Sequence, residues 1–251
     1  MVSTTARHPY LDHDGAIPFA HRGGANNGLP ENTMASFQHA YDLGYRYFET
    51  DVQLTADGVL VAFHDDDLRR TCGLPGKISE LNWSQVSTAL VDGKEPIPLL
   101  TDLFDAFPDA RVNIDCKTDA AVLPLSAILR RCAALPRVCV GAFSDKRIHR
   151  LRAMFGSELC TSMAPLEVVR FLLGFTSTTA QTAQVPTKQS GIVVVTPRSI
   201  ARAHAKNVAV HVWTIDDTAE MNRLLDLGVD GIMTDETQRL KDVYVKRGLA
   251  L

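Results

Sequence analysis

The chain of 251 residues contains no window approaching about 18 uninterrupted apolar residues, so no membrane-spanning helix is expected. Its first stretch, "MVSTTARHPYLDHDG", has neither an apolar core region nor a small-residue cleavage site. No signal peptide is therefore expected, and the sequence reads as a soluble, cytoplasmic protein. Cysteine is scarce. The five present, Cys72, Cys116, Cys132, Cys139 and Cys160, form no CxxC pair, are odd in number and sit mostly in apolar runs. This argues against zinc sites and a disulfide framework and leaves them as reduced packing residues. No long run of like charges occurs, and a net charge of −3 with a pI near 6.2 provides no electrostatic footprint for nucleic acid or an anionic membrane. No G-x-G-x-x-G follows the first strand-like run, so a dinucleotide crevice has no support. Internal repeats and low-complexity tracts are also lacking.

What remains, at 45% hydrophobic residues, is enough apolar surface for a substantial core. Short apolar runs alternate with helical patterns: "IPFAHRG", "YRYFETDVQLT", "ARVNIDCK", "VCVGAFS", "ELCTSMA", "TAQVP", "VAVHVWTI" and "DGIMTD" read as eight strands, most followed by a helix of roughly 10 to 15 residues. Eight βα units in a chain of this size predict a (β/α)8 TIM barrel spanning 1–251 as one domain, a doubly wound open sheet being the alternative. From about 64 to 108 the alternation breaks. "TADG" turns the chain into a second strand, "VLVAFH", and a Gly/Pro-rich stretch with little helix follows, read as a small insertion after strand 2.

In such a barrel, chemistry gathers at the C-terminal ends of the strands. Strand 1 ends at His21-Arg22-Gly23-Gly24, strand 2 carries Glu49 and Asp51, the hairpin ends at His64-Asp65, strand 3 carries Asp115 and Lys117, and strand 7 carries His211 and Trp213. Residues two apart on a strand share a face, so Glu49 and Asp51 aim at one spot, as do Asp115 and Lys117. Buried unpaired carboxylates are costly, which leaves three readings of the Glu49–Asp51 pair: a divalent cation, basic partners or solvent exposure. Three strand-end acids with no thiol partner suit a hard cation such as Mg2+ or Ca2+. His21 and His64 have the side chain suited to giving and taking protons near neutral pH.

The motifs "AHRGG", "PENT", "FETDV" and "FHD", in that order, with "NIDCK", "QVP" and "VHVWTID" further on, resemble the glycerophosphodiester phosphodiesterase family over nearly the whole chain. The resemblance implies a metal-dependent hydrolase on a (β/α)8 barrel with an insertion after strand 2, cleaving glycerophosphodiesters to glycerol 3-phosphate and an alcohol. It implies His21 and His64 as the general acid/base pair, Glu49, Asp51 and Asp115 as metal ligands, and Arg22, Lys117 and Trp213 as substrate-binding residues. Two routes stay open, attack by a glycerol hydroxyl through a cyclic phosphate or direct attack by water. Asp115 departs from the family's usual glutamate by one methylene. Glu31 also reads as a helix-start acid beside Pro30, at most supporting the ligands from behind. Gly23 and Gly24 are expected to let the backbone approach a ligand, and His211 to point into the barrel as a structural residue. The run "LEVVRFLLGF", Leu166 to Phe175, is expected to pack on the barrel as an ordinary amphipathic helix rather than serve as a lipid-facing lid. The alternatives are a lysophospholipase D-like or sphingomyelinase D-like enzyme using the same residues, and a barrel that binds phosphodiesters without cleaving them.

Overall fold

Burial on both faces turns the short apolar runs into strands, because a parallel sheet wrapped by helices leaves neither face to water. The first is β1 (Ile17–Ala20), buried at every position. It is followed by α1 (Met34–Leu43), whose start is capped by the Thr33 hydroxyl accepting from Ser36 N–H and whose end turns at Gly44 with φ 109°. β2 (Tyr47–Leu54) comes next and pairs with a short antiparallel strand, β3 (Leu60–Ala62). The computed structural model describes residues 7–25, 28–174 and 178–251.

Between β3 and the next barrel strand lie α2 (Arg69–Cys72), α3 (Trp83–Val86), a small hairpin of β4 (Leu90–Val91) with β5 (Glu95–Pro96), and α4 (Leu100–Ala106). This segment has more helix than its Gly/Pro-rich sequence suggests. α4 starts directly after "PIPL", where the Asp102 carboxylate accepts from Leu99 N–H, and it packs Leu100 and Phe104 with Val112 and Ile114 beneath the barrel wall. The insertion has a core of its own, built from Val61, Phe63, Ile78, Val86, Val91 and Ile97 among others.

Regular alternation then resumes with β6 (Arg111–Cys116), α5 (Val122–Arg131), β7 (Val138–Gly141), α6 (Asp145–Phe155), β8 (Cys160–Thr161) and α7 (Pro165–Leu172). β9 (Thr182–Val185) is followed by a hairpin of β10 (Lys188–Gln189) and β11 (Ile192–Val193), then α8 (Pro197–His204). That helix begins at Pro197, with the Thr196 hydroxyl accepting from Ser199 N–H at its start. The chain ends with β12 (Ala209–Val212), α9 (Thr218–Leu227), β13 (Gly231–Thr234) and α10 (Thr237–Arg247).

The barrel strands neighbour one another in the order β8, β7, β6, β2, β1, β13, β12, β9, all parallel. A bridge between Ser162 and Thr182 links the two ends, giving a nearly closed eight-stranded (β/α)8 barrel with the insertion after β2. No described helix is long and apolar enough to cross a membrane. The barrel interior holds Ile17, Phe19, Tyr47, Cys139, Cys160 and Met233. Residues ahead of β1, expected only as a tail, close this layer: Tyr10 and Leu11 are buried in it, and Tyr47 OH donates to Tyr10 O at 2.9 Å. The cysteines are free, and Cys116, Cys139 and Cys160 are buried.

His211 points inward as expected, fully buried against Phe19 at 4.9 Å between ring centroids. Neither ring nitrogen meets a protein partner, and burial pushes its pKa from 6.5 down to about 4. The unfolded chain takes up this proton near 6.5 and the folded one only near 4. Stability is therefore undiminished above that window and falls as pH drops through it, by about 3 kcal/mol at pH 4 from this residue alone. Denaturant unfolding at stepped pH should show that slope and show it flattened in His211→Leu; an unchanged slope would mean His211 takes up its proton in the folded protein.

Candidate active site

A single 3-10 turn at the end of β1, His21–Gly23, sets the direction of the first histidine. Arg22 within it has φ 51°, and Gly23 and Gly24 have φ 84° and 80°. A Cβ on Gly23 would stand 2.3 Å from Ser36 Oγ, and one on Gly24 2.3 Å from Thr237 Cγ2. These glycines pack closely against α1 and α10. The tightness aims His21 across the strand ends.

His21 Nδ1 donates to Asp235 Oδ1 at 2.8 Å, and its Nε2 lies 3.7 Å from Glu49 Oε2. Because a carboxylate only accepts, the Asp235 bond fixes the proton on Nδ1 and leaves Nε2 free in the neutral ring. Burial works against the charged ring, yet Glu49 and Asp235 together outweigh it and raise the pKa of His21. His64, just past β3, is held the same way, with Nδ1 2.6 Å from Asp65 Oδ1. Asp65 in turn takes two bonds from Arg70 of α2, and Arg70 takes both oxygens of Glu31, at 2.6 and 2.9 Å. Glu31 also accepts from Arg22 Nη1 at 3.1 Å. The helix-start reading of Glu31 therefore gives way to a junction between two arginines, and the insertion supplies the arm that secures His64.

Glu49, Asp51 and Asp115 lie where their spacing placed them, on β2 and β6, with Asp51 in register with Asp115. Glu49 is 5% exposed and Asp51 3%, which removes solvent exposure as an explanation of the pair. Basic partners are present. Lys117 Nζ stands 2.7 Å from Asp51 Oδ1 and 2.8 Å from Asp115 Oδ2, and Arg22 Nε lies 3.3 Å from Asp51 Oδ2. Burial alone would raise the Asp51 pKa, but Lys117 and Arg22 hold it below the usual range. Burial and the neighbouring Asp51 charge push Glu49 up to about 7. Burial also raises Asp115 against the pull of Lys117. Among the described residues no group of three or more His, Cys, Asp or Glu side chains is arranged to hold a metal ion; Lys117 bridges two of the three expected ligands instead.

All eight expected site residues line one cavity of about 450 Å3 at the C-terminal ends of the strands: His21, Arg22, Glu49, Asp51, His64, Asp115, Lys117 and Trp213. Trp213 meets Phe143 edge-on, ring centroids 6.0 Å apart, on the cavity's apolar side. Several members escaped the sequence reading. Asn32, 1% exposed, donates to Asp51 Oδ2 at 3.1 Å and accepts from Thr50 Oγ1. Gln184 on β9 donates to Asn113 Oδ1 of β6 at 2.6 Å across the floor. Asp235 ends "GIMTD", so the strand-end rule that found Glu49 and Asp51 could have found it too.

The glycine packing is testable by stability. Gly23→Ala should lose about 1–3 kcal/mol more than Gly58→Ala, because both adopt positive φ but only the first meets a neighbour within 4 Å. Equal losses in denaturant unfolding would mean α1 gives way freely.

The profile of the glycerophosphoryl diester phosphodiesterase family matches residues 21–239. A Mycobacterium tuberculosis protein, "Probable glycerophosphodiester phosphodiesterase 2", is 39% identical over 249 residues, covering 95% of this chain and 94% of its own. A lysophospholipase D of Mus musculus is 27% identical over 266 residues, covering 89% and 84%. Among solved structures, a glycerophosphodiester phosphodiesterase from Agrobacterium tumefaciens superposes with a TM-score of 0.78 at 24% identity, covering 92% of this chain and 99% of that one. An Oleispira antarctica phosphodiesterase, solved with the product sn-glycerol-3-phosphate, has a TM-score of 0.78 at 19% identity, covering 94% and 99%. At those identities the structural likeness speaks for the barrel alone. The sequence match goes further, starting at His21 itself, running into α10 and joined by 39% identity along nearly the full length: the chain belongs to the glycerophosphoryl diester phosphodiesterase family.

Proposed function

We propose that the chain hydrolyses glycerophosphodiesters to glycerol 3-phosphate and an alcohol, with His21 and His64 moving the protons. The observation that carries this reading is the pair of histidines on one cavity, each with Nδ1 on a carboxylate, beside three acids, two of them buried, and two cations. One imidazole takes the proton of the attacking oxygen while the other gives one to the departing alkoxide. Lys117 and Arg22 provide positive charge beside the phosphate, and Trp213 forms a wall for the organic part of the diester. Asp235 and Asp65 keep each ring in its working tautomer.

The donor set also suits a hard divalent cation, Mg2+ or Ca2+. Glu49, Asp51 and Asp115 are carboxylates on adjoining strands, no thiol lines the cavity, and Asp115 Oδ1 is buried without a hydrogen-bond partner. When bound there, the ion supplies neutralising charge to the phosphoryl oxygens. The apolar side of the cavity, with Phe143, Val168 and Leu172, favours a second reading in which the diester carries an acyl chain, as in a lysophospholipase D.

Two measurements test these assignments. Chelation should abolish turnover of glycerophosphocholine and Mg2+ or Ca2+ should restore it, while Glu49→Gln should weaken ion binding measured by calorimetry; full activity in metal-free enzyme would remove the cation from the reading. His21→Ala and His64→Ala should each lower kcat by about 10²–10⁴, with effects that do not multiply in the double variant. A single variant with near wild-type kcat, where chemistry limits the rate, would leave its histidine a structural role.

A further inference from the structure

The cavity opens through the segments that follow β7, β8 and β9, where exposed apolar side chains stand beside the polar Lys188 and Gln189 of β10. Leu166 on α7 is 62% exposed, Leu173 just beyond it 73%, and Ile192 and Val193 on β11 66% and 52%. None of these four side chains lines the cavity, and none belongs to the hydrophobic clusters around the barrel. The expectation that α7 is an ordinary packing helix therefore holds for Phe171, which is buried, but fails for the face carrying Leu166 and Val169. Phe175, at the end of that run, lies outside the described residues.

Inward from the rim the surface changes in a fixed order. Phe143, Val169 and Leu172 are exposed at the rim yet also line the cavity, the half-buried Val168 and Trp213 come next, and the acids, Lys117 and the two histidines form the floor. That order matches an amphiphile with its phosphate inward and its apolar end outward. Exposed apolar side chains gathered around one opening in this way mark an interaction site.

We propose that this rim docks on a lipid surface, from which the site draws a phosphodiester; the inference rests on the phosphodiesterase reading above. The occupant follows from the arrangement. The aliphatic side chains belong to separate segments around an opening, so a second copy of the chain or a folded partner seated on them would cap the entrance that the substrate uses. A lipid surface covers the same side chains and delivers its own molecules into the opening. With a net charge of −3 the protein has no broad attraction to anionic headgroups, so the contact is made by shallow insertion of aliphatic side chains, and it holds on zwitterionic lipid and at high salt.

The test uses the full chain and phosphatidylcholine vesicles, in flotation at low and high salt, beside a double variant, Leu173→Asp with Ile192→Asp, that leaves the cavity lining untouched. The wild-type protein should float with vesicles at both salt levels, and the variant's partition should fall about tenfold or more. Turnover of soluble glycerophosphocholine should be the same in both, which shows the variant folded. A wild-type protein that stays with the soluble fraction, or a variant that floats equally well, overturns the proposal. So does a dimer in light scattering that the double variant splits, since the rim would then belong to a second copy. Vesicle binding lost in the variant, with no turnover of any diester by either protein, supports the docking surface while removing the phosphodiesterase reading.

Discussion

The site is organised by the need to compensate negative charge buried at the ends of β2 and β6. Glu49 and Asp51 are buried and Asp115 half-buried at the floor of the cavity, and acids so placed must either be neutralised or take up protons. Each solution is visible in a different member. Asp51 is matched by Lys117 and Arg22 and stays ionised below its usual range. Glu49, with only the Arg22 backbone N–H at 3.1 Å and His21 at 3.7 Å, rises to about 7. The tight turn after β1, the lysine just past β6 and the arginine junction at Glu31 all answer this demand. A phosphodiester brings further negative charge to the same place, so the cations that balance the acids also suit the ligand.

The insertion after β2 is joined to that charge balance. It packs around its own apolar cluster and is tied to the barrel by backbone bonds such as Phe63 N–H to Asp51 O of β2 at 3.0 Å. From this anchored base, α2 extends Arg70 over Asp65 and Glu31, two acids from different parts of the chain. His64 thereby shares a hydrogen-bonded network with Arg22 at the end of β1. A barrel with a bare loop at this point would hold the second histidine only by its own short link to Asp65.

The eight barrel strands could be read directly because each is a short apolar run, and the period of two placed Glu49 with Asp51 and Asp115 with Lys117 on common faces. Features that depend on a partner distant in sequence were not legible. Asp235 was visible as an acid closing "GIMTD", but its meaning comes from His21, brought beside it only when β13 pairs with β1 from Ile17↔Gly231 to Ala20↔Thr234. α4 is only seven residues long and follows a Pro-rich stretch, so its pattern was too short to stand out. The apolar residues of α7 were legible as a helix face, but periodicity does not tell which face meets the barrel and which meets the outside. The close packing of Gly23 and Gly24 was not legible for a related reason: what crowds them, Ser36 and Thr237, lies on helices from opposite ends of the chain.

The bond between His21 and Asp235 spans 214 residues and joins the first barrel strand to the last. This distance has a consequence for the order of events during synthesis. Domains fold largely as the chain emerges, N-terminal parts first, and contacts of long sequence separation form last because closing the loop must come before they reward it. The imidazole of His21 is therefore made early and oriented late. A ribosome-bound or truncated chain lacking β13 has both histidines, all three acids and Lys117, yet has no carboxylate to fix the tautomer of His21 and no neighbour to complete the far side of β1. The fixed orientation of His21 arrives with the final strand, so closure of the barrel and ordering of this imidazole are one event.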